Sequence, residues 1–188
     1  MAKFTRKAIM DTFLELLKYN SLDKITIKDI IENTEVNRNT FYYYFDDIFD
    51  LIDQIFKEEL QRILSETATD SSFYEEYERT AEIILNHKAA IVHIYNSRSR
   101  EILHKYIWEA TNAFVERFVR KEAENYPISE DGIAFIIYFY SSAISGNTMR
   151  WIEDGMKTYR DDFLKIMSTS FESTIKDMIL NYLKFEHS

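Results

Sequence analysis

Two helix starts lie eleven residues apart in the stretch Ile25 to Phe45, ITIKDIIENTEVNRNTFYYYF. No other stretch restricts the fold as tightly. Thr26 offers a hydroxyl cap, Asp29 stands three residues on, and Ile25 and Ile30 bracket the start. That is a capping box with a hydrophobic staple. The device then recurs. Asn37 is the cap, Val36 precedes it, and Phe41 occupies the staple position. The interval holds about two turns of helix and a corner, Thr34-Glu35-Val36. The pattern predicts a helix-turn-helix.

The second of these helices divides its residues by chemistry. Phe41 and Phe45 are four apart, so they share a face that can pack on the first helix. Arg38, Asn39, Thr40, Tyr42, Tyr43 and Tyr44 take the other faces. Arg and Asn make bidentate contacts to base edges, and Thr can touch a thymine methyl. Tyrosine hydroxyls suit phosphate oxygens, and a helix N-terminus attracts anions. The plainer alternative is a solvent-facing helix. Three consecutive tyrosines argue against it, because exposed aromatics generally have something to bind.

The rest of the chain reads as helix. Pro127 is the only proline, and Gly132, Gly146 and Gly155 are the only glycines in 188 residues. So few breakers favour long helices over a many-turned β fold. The expected class is all-α, with about nine helices. A first helix spans about 5–19, with Ile9, Phe13, Leu16 and Leu17 as its stripe. A fourth starts at Asp46 or Asp47 and runs to about Ser65, leaving the head and entering the body. The polar run Thr67 to Ser72 is the clearest boundary. Further helices follow at 73–86, 88–95, 99–125, 129–154 and 161–185. The domains expected are 1–46, a three-helix head, and 47–188, a helical body.

Charge is unevenly spread. Residues 1–45 carry seven basic and six acidic side chains, whereas 46–188 carry 16 and 26. A near-neutral head on an acidic body suits a protein that touches phosphate at one end only. With no cysteine, there is no disulfide framework and no thiolate metal site. Asp11 and Glu15 interrupt the first apolar stretch, which excludes a signal peptide. Gly132 to Met149 lacks charge, but five polar residues crowd its second half and favour a buried helix over a membrane span. The expected location is the cytoplasm, with no membrane partner.

Residues 26–45 resemble the N-terminal domain of the tetracycline-repressor (TetR) family of transcription regulators. The resemblance rests on Thr26, Ile30, Val36, Asn37, Thr40-Phe41-Tyr42 and Tyr44-Phe45. Two positions depart from it. Glu35 stands where the family has a corner glycine, and Asp46-Asp47-Ile48 where it often has a lysine. Farther on, Phe139 to Gly146 and Trp151-Ile152-Glu153-Asp154-Gly155-Met156 are similar to one C-terminal subtype. The resemblance implies a ligand-responsive homodimeric repressor on a palindromic DNA operator, closed by the last two helices of each subunit. It implies base contacts from Arg38, Asn39 and Thr40. Phosphate contacts are implied for Thr26, Lys28, Tyr42, Tyr43 and Tyr44, and a place in the DNA-binding surface for Asn37. Lys3 and Arg6 are implied at a phosphate or the minor groove.

The same resemblance implies an effector pocket in the body. His93, Tyr95, His104, Trp108 and Tyr138 are its candidates, each carrying a polar tip on an apolar ring. Aromatics at helical spacing also serve as plain core. Glu101 and His104 have the spacing of a di-metal carboxylate motif, but no second pair accompanies them. No metal or cofactor is expected. There is no phosphate-cradling glycine loop, nucleophile elbow or His-Glu-x-x-His, so an enzyme is the weakest class. The alternative to a regulator is a helical co-regulator or adaptor of the same fold with weakened DNA binding, which Glu35, Asp46 and Asp47 motivate.

Overall fold

The computed structural model describes residues 2–66, 71–157 and 160–186. The described residues are all-α: nine α-helices, one 3-10 turn at Leu22–Lys24, and no strand. The helices are α1 (Ala2–Tyr19), α2 (Ile27–Thr34), α3 (Arg38–Tyr44), α4 (Ile48–Glu66) and α5 (Phe73–Asn86). They continue as α6 (Lys88–Tyr95), α7 (Arg100–Ala123), α8 (Glu130–Glu153) and α9 (Arg160–Glu186). Of the expected boundary loop, Thr67 to Ser72, residues 67–70 lie outside the described residues.

The backbone forms two compact units, residues 1–62 with 84–106, and residues 63–83 with 107–188. The chain passes from one to the other within α4, α5 and α7. In the first unit, Ile9, Phe13 and Leu17 of α1 are buried with Ile30 of α2 and Phe41 of α3. Ala90, Ile91 and Ile94 of α6 join the same core, so α6 packs on α1. The rings of Phe56 and Tyr106 stack 4.3 Å apart at 11°. Burial raises the Tyr106 phenol well above its ordinary pKa, and the nearby Glu59 carboxylate adds to that.

The second unit is built on aromatic packing. Phe73 of α5 stacks on Phe171 of α9 at 4.1 Å and meets Phe114 and Phe118 of α7 edge-on, both at 5.3 Å. Trp151 of α8 lies nearly parallel to Phe163 of α9, 5.8 Å away. Helices α8 and α9 approach closely where Gly132 sits. A Cβ there would meet Tyr182 Cε1 at 2.6 Å and Ile128 Cγ1 at 2.8 Å. Ser129 starts α8 as expected, its Oγ accepting from the Gly132 N–H at 3.1 Å.

One buried carboxylate was invisible in the helical pattern. Glu76 is 1% exposed, with Arg117 Nη2 3.1 Å and Arg79 Nη1 3.5 Å from its oxygens. A buried charge needs such partners, and removing one of them typically costs about 3–5 kcal/mol.

Candidate nucleic-acid interface

Local bonding fixes both helix starts of the head. The Asp29 N–H donates to Thr26 Oγ1 at 3.2 Å, and the Thr26 N–H donates to Asp29 Oδ2 at 2.8 Å. The Thr26 hydroxyl also donates to Asp29 Oδ2, at 2.7 Å. These bonds favour the charged carboxylate, the hydroxyl more than the backbone, and hold the Asp29 pKa below its ordinary value. Beneath the box, Ile25 and Ile30 are buried as the staple.

The corner carries strain. Glu35 ends α2 in the left-handed region at φ 57° and ψ 34°. Its N–H and that of Val36 both reach the Ile31 carbonyl, which is how a C-cap satisfies the last turn. A side chain in this conformation costs roughly 1 kcal/mol relative to glycine. The chain thus keeps the corner geometry that its resemblance implied, without the residue that makes it cheap.

Asn37 then caps α3, its Oδ1 accepting from the Thr40 N–H at 2.8 Å and from the Thr40 hydroxyl at 3.0 Å. Phe41 and Phe45 turn inward and are 0% and 1% exposed, with ring centroids 5.7 Å apart. That anchoring aims the rest of α3 outward. Arg38 and Asn39 are exposed, and Tyr42 and Tyr43 are 43% and 78% exposed. Arg38 is steered by its neighbour one turn on. Its Cζ lies 5.7 Å from the Tyr42 ring centroid, and Nη2 donates to the Tyr42 hydroxyl at 3.3 Å. Tyr43 and Tyr44 meet edge-on at 4.8 Å.

The remaining residues read from the sequence are placed less freely. Lys28 faces Glu32 at 3.7 Å on the exposed side of α2. Arg6 donates from Nη2 to Gln54 Oε1 at 2.6 Å, pairs with Glu58, and covers the Phe45 ring at 5.5 Å. It therefore ties α1 to α4. The Lys3 side chain lies outside the described residues. The acids after α3 have a structural use that explains them. Asp47 Oδ1 accepts from the Asp50 N–H at 2.8 Å, and Asp50 Oδ2 accepts from the Asp46 N–H at 3.0 Å. They form the N-terminal cap of α4.

The five body candidates do not share one environment. His93 Nδ1 bonds the Leu17 carbonyl at 2.7 Å, so this nitrogen carries the proton. That side chain secures α6 to the last turn of α1. Tyr95 is half-buried and His104 exposed, both in the first unit. In the second unit Trp108 is 38% exposed, and Tyr138 is 64% exposed beside Phe135 and Phe139 on α8. No local pattern signals the buried hydroxyl pair of Tyr77 with Thr148, 2.8 Å apart. Burial pushes that phenol well above its ordinary pKa. Trp151 Nε1 and Ser168 Oγ are buried with no hydrogen-bond partner among the described residues. No group of three or more His, Cys, Asp or Glu among the described residues could hold a metal ion. No helix there is long and apolar enough to cross a membrane.

Residues 71–173 match the TetR-type family model described as "Transcriptional regulator C-terminal region". A curated relative is the "HTH-type dhaKLM operon transcriptional activator DhaS" of Lactococcus lactis subsp. lactis (strain IL1403). It is 28% identical over 64 residues, which span 34% of this chain and only 34% of that relative's length. Two solved structures share the fold. The "Dihydroxyacetone kinase operon activator DhaS" has a TM-score of 0.68 at 18% identity, covering 96% of this chain and 97% of that one. A TetR-family transcriptional regulator from Syntrophomonas wolfei str. Goettingen has a TM-score of 0.69 at 18% identity, covering 93% and 96%.

Proposed function

This chain belongs to the TetR family of transcriptional regulators, and on that premise we propose that it is a ligand-responsive homodimeric repressor of a palindromic operator. Residues 1–46 form the DNA-binding part in this reading, and 47–188 the effector-binding and dimerising part. One observation carries it. Helix α3 buries Phe41 and Phe45 while exposing Arg38, Asn39, Tyr42 and Tyr43 on a strongly capped frame. Arg38, Asn39 and Thr40 read base edges. Tyr42, Tyr43, Tyr44, Thr26 and Lys28 hold phosphates, with Asn37, Lys3 and Arg6 at the margin. Arg6 gives up Glu58 and Gln54 if it turns to DNA.

Dimerisation uses α8 and α9. Phe135, Tyr138 and Phe139 are 49%, 64% and 45% exposed along one face of α8, an apolar stripe that a second copy would cover. A Cβ on Gly146, farther along α8, would meet nothing within 4 Å, which leaves room for another helix to close on it. Two heads on a two-fold axis then match two half-sites. An effector binding in the body disfavours the DNA-competent state through differential affinity. Within the second unit, Trp151 Nε1 and Ser168 Oγ offer it buried polar groups to satisfy.

The test is a gel-shift series with the DNA upstream of the protein's own gene. Retardation that weakens steeply with added salt supports the reading. No shift at low salt would turn it into the adaptor alternative. A second reading, transcriptional activation, is favoured by the Lactococcus lactis relative, which is a transcriptional activator. Reporter output in a deletion strain separates the two: it rises without a repressor and falls without an activator.

A further inference from the structure

We infer that Gln54 of α4 is a positioning residue for base reading: its side-chain amide ties α1 to the exit of α3 and so fixes how α3 is presented to a duplex. The inference lies within the first unit and rests on the proposed reading of DNA by α3. Gln54 is half-buried, and each end of its amide is committed. Oε1 accepts from Arg6 Nη2 of α1 at 2.6 Å. Nε2 donates to the Tyr44 carbonyl of α3 at 3.3 Å and to Asp50 Oδ2 of α4 at 2.9 Å. A guanidinium only donates, whereas a carbonyl and a carboxylate only accept. The amide therefore has one orientation that satisfies all three partners.

Helix α3 needs such a hold. It has seven residues, about 10 Å of helix, and its last carbonyls have no partner within it. Phe41 and Phe45 fix its depth, but two rings on one face do not by themselves set its tilt. The clasp acts on the backbone at the exit. The Tyr44 carbonyl goes to Gln54, and the Asp46 N–H donates to Asp50 Oδ2 at 3.0 Å, the same oxygen that Gln54 bonds. Phe45, between these two groups, lies under the Arg6 guanidinium, 5.5 Å from its ring centroid. A tilt of about 10° would move one end of α3 by roughly 2 Å relative to the other. Binding constellations demand placement within about 0.5 Å.

The experiment uses the full chain and two duplexes, one selected by the parent protein from a random pool and one of scrambled sequence. Gln54→Met keeps the length and loses the bonds, and should lower the ratio of selected to scrambled affinity about ten-fold. Gln54→Glu keeps the acceptor for Arg6 but sets a carboxylate against the Tyr44 carbonyl and Asp50, and should lower the ratio at least as far. A mere tie between α1 and α4 predicts the reverse, because a carboxylate strengthens the Arg6 pair. Gln61→Met, the same change at an exposed position of α4, should leave the ratio unaltered. Hydrogen exchange without DNA separates this inference from the reading beneath it. Gln54→Met should speed exchange over residues 38–46 about five-fold while residues 27–34 keep their rate. An unchanged ratio, recovery by Gln54→Glu, an equal loss in Gln61→Met, or exchange unaltered or accelerated equally in both stretches would each overturn it. A parent protein that selects no DNA sinks the proposed function instead, and exchange then decides whether the clasp holds α3.

Discussion

Exposed aromatic rings crowd two helix faces of this protein, the outer side of α3 and the outer side of α8, and their companions differ. On α3 the rings of Tyr42 and Tyr43 stand among Arg38 and Asn39. On α8 the rings of Phe135, Tyr138 and Phe139 are followed by Ser142, Ala143 and Gly146, in a stretch without charge from Gly132 to Met149. A guanidinium and an amide surrender water only for partners that replace its hydrogen bonds. A nucleic acid supplies these as phosphates and base edges. The α8 face has few polar groups to desolvate and small residues that let a second helix approach. Exposed aromatics alone do not say what a surface binds. The polar and small residues between them do.

The two faces should respond oppositely to truncation. The largest effect is expected beneath α3. Phe41→Ala removes a fully buried ring and should cost the fold about 3–5 kcal/mol, read from denaturant unfolding. Next comes α8. Replacing Phe135 and Phe139 together by Ser should convert dimer to monomer in sedimentation and weaken self-association by about 2 kcal/mol or more. A monomeric parent protein would break that half of the comparison. Arg38→Ala should cost about 1–3 kcal/mol of DNA affinity and relax one operator position. An equal loss on every sequence would make Arg38 a phosphate contact only. The smallest effect belongs to the corner. Glu35→Gly should stabilise the head by about 1 kcal/mol and raise DNA affinity slightly by removing a carboxylate near the interface.

What the sequence revealed about these regions follows the reach of the interactions. Thr26 with Asp29, Asn37 with Thr40, Asp47 with Asp50 and Ser129 with Gly132 bond over three residues. Spacing alone therefore exposed each helix start. The inward turn of Phe41 and Phe45 was legible for the same reason. The anchor of His93 on Leu17 spans 76 residues and the pair of Tyr77 with Thr148 spans 71. No local pattern encodes such partners. The sequence offered His93 as a ligand candidate because a histidine's polar tip looks the same whether it meets an effector or a helix end. Arg6 follows the same logic, a basic residue near the N-terminus whose partners on α4 appear only in the fold.

The central claim is that the outer face of α3 reads a duplex twice per assembly. Selection of bound fragments from a random DNA pool, run in parallel with the parent protein and with Arg38→Ala, tests it most directly. The account predicts an inverted repeat for the parent and the same repeat for the variant, with one position per half-site degenerate. An unenriched pool, or an enriched site without two-fold symmetry, would contradict it.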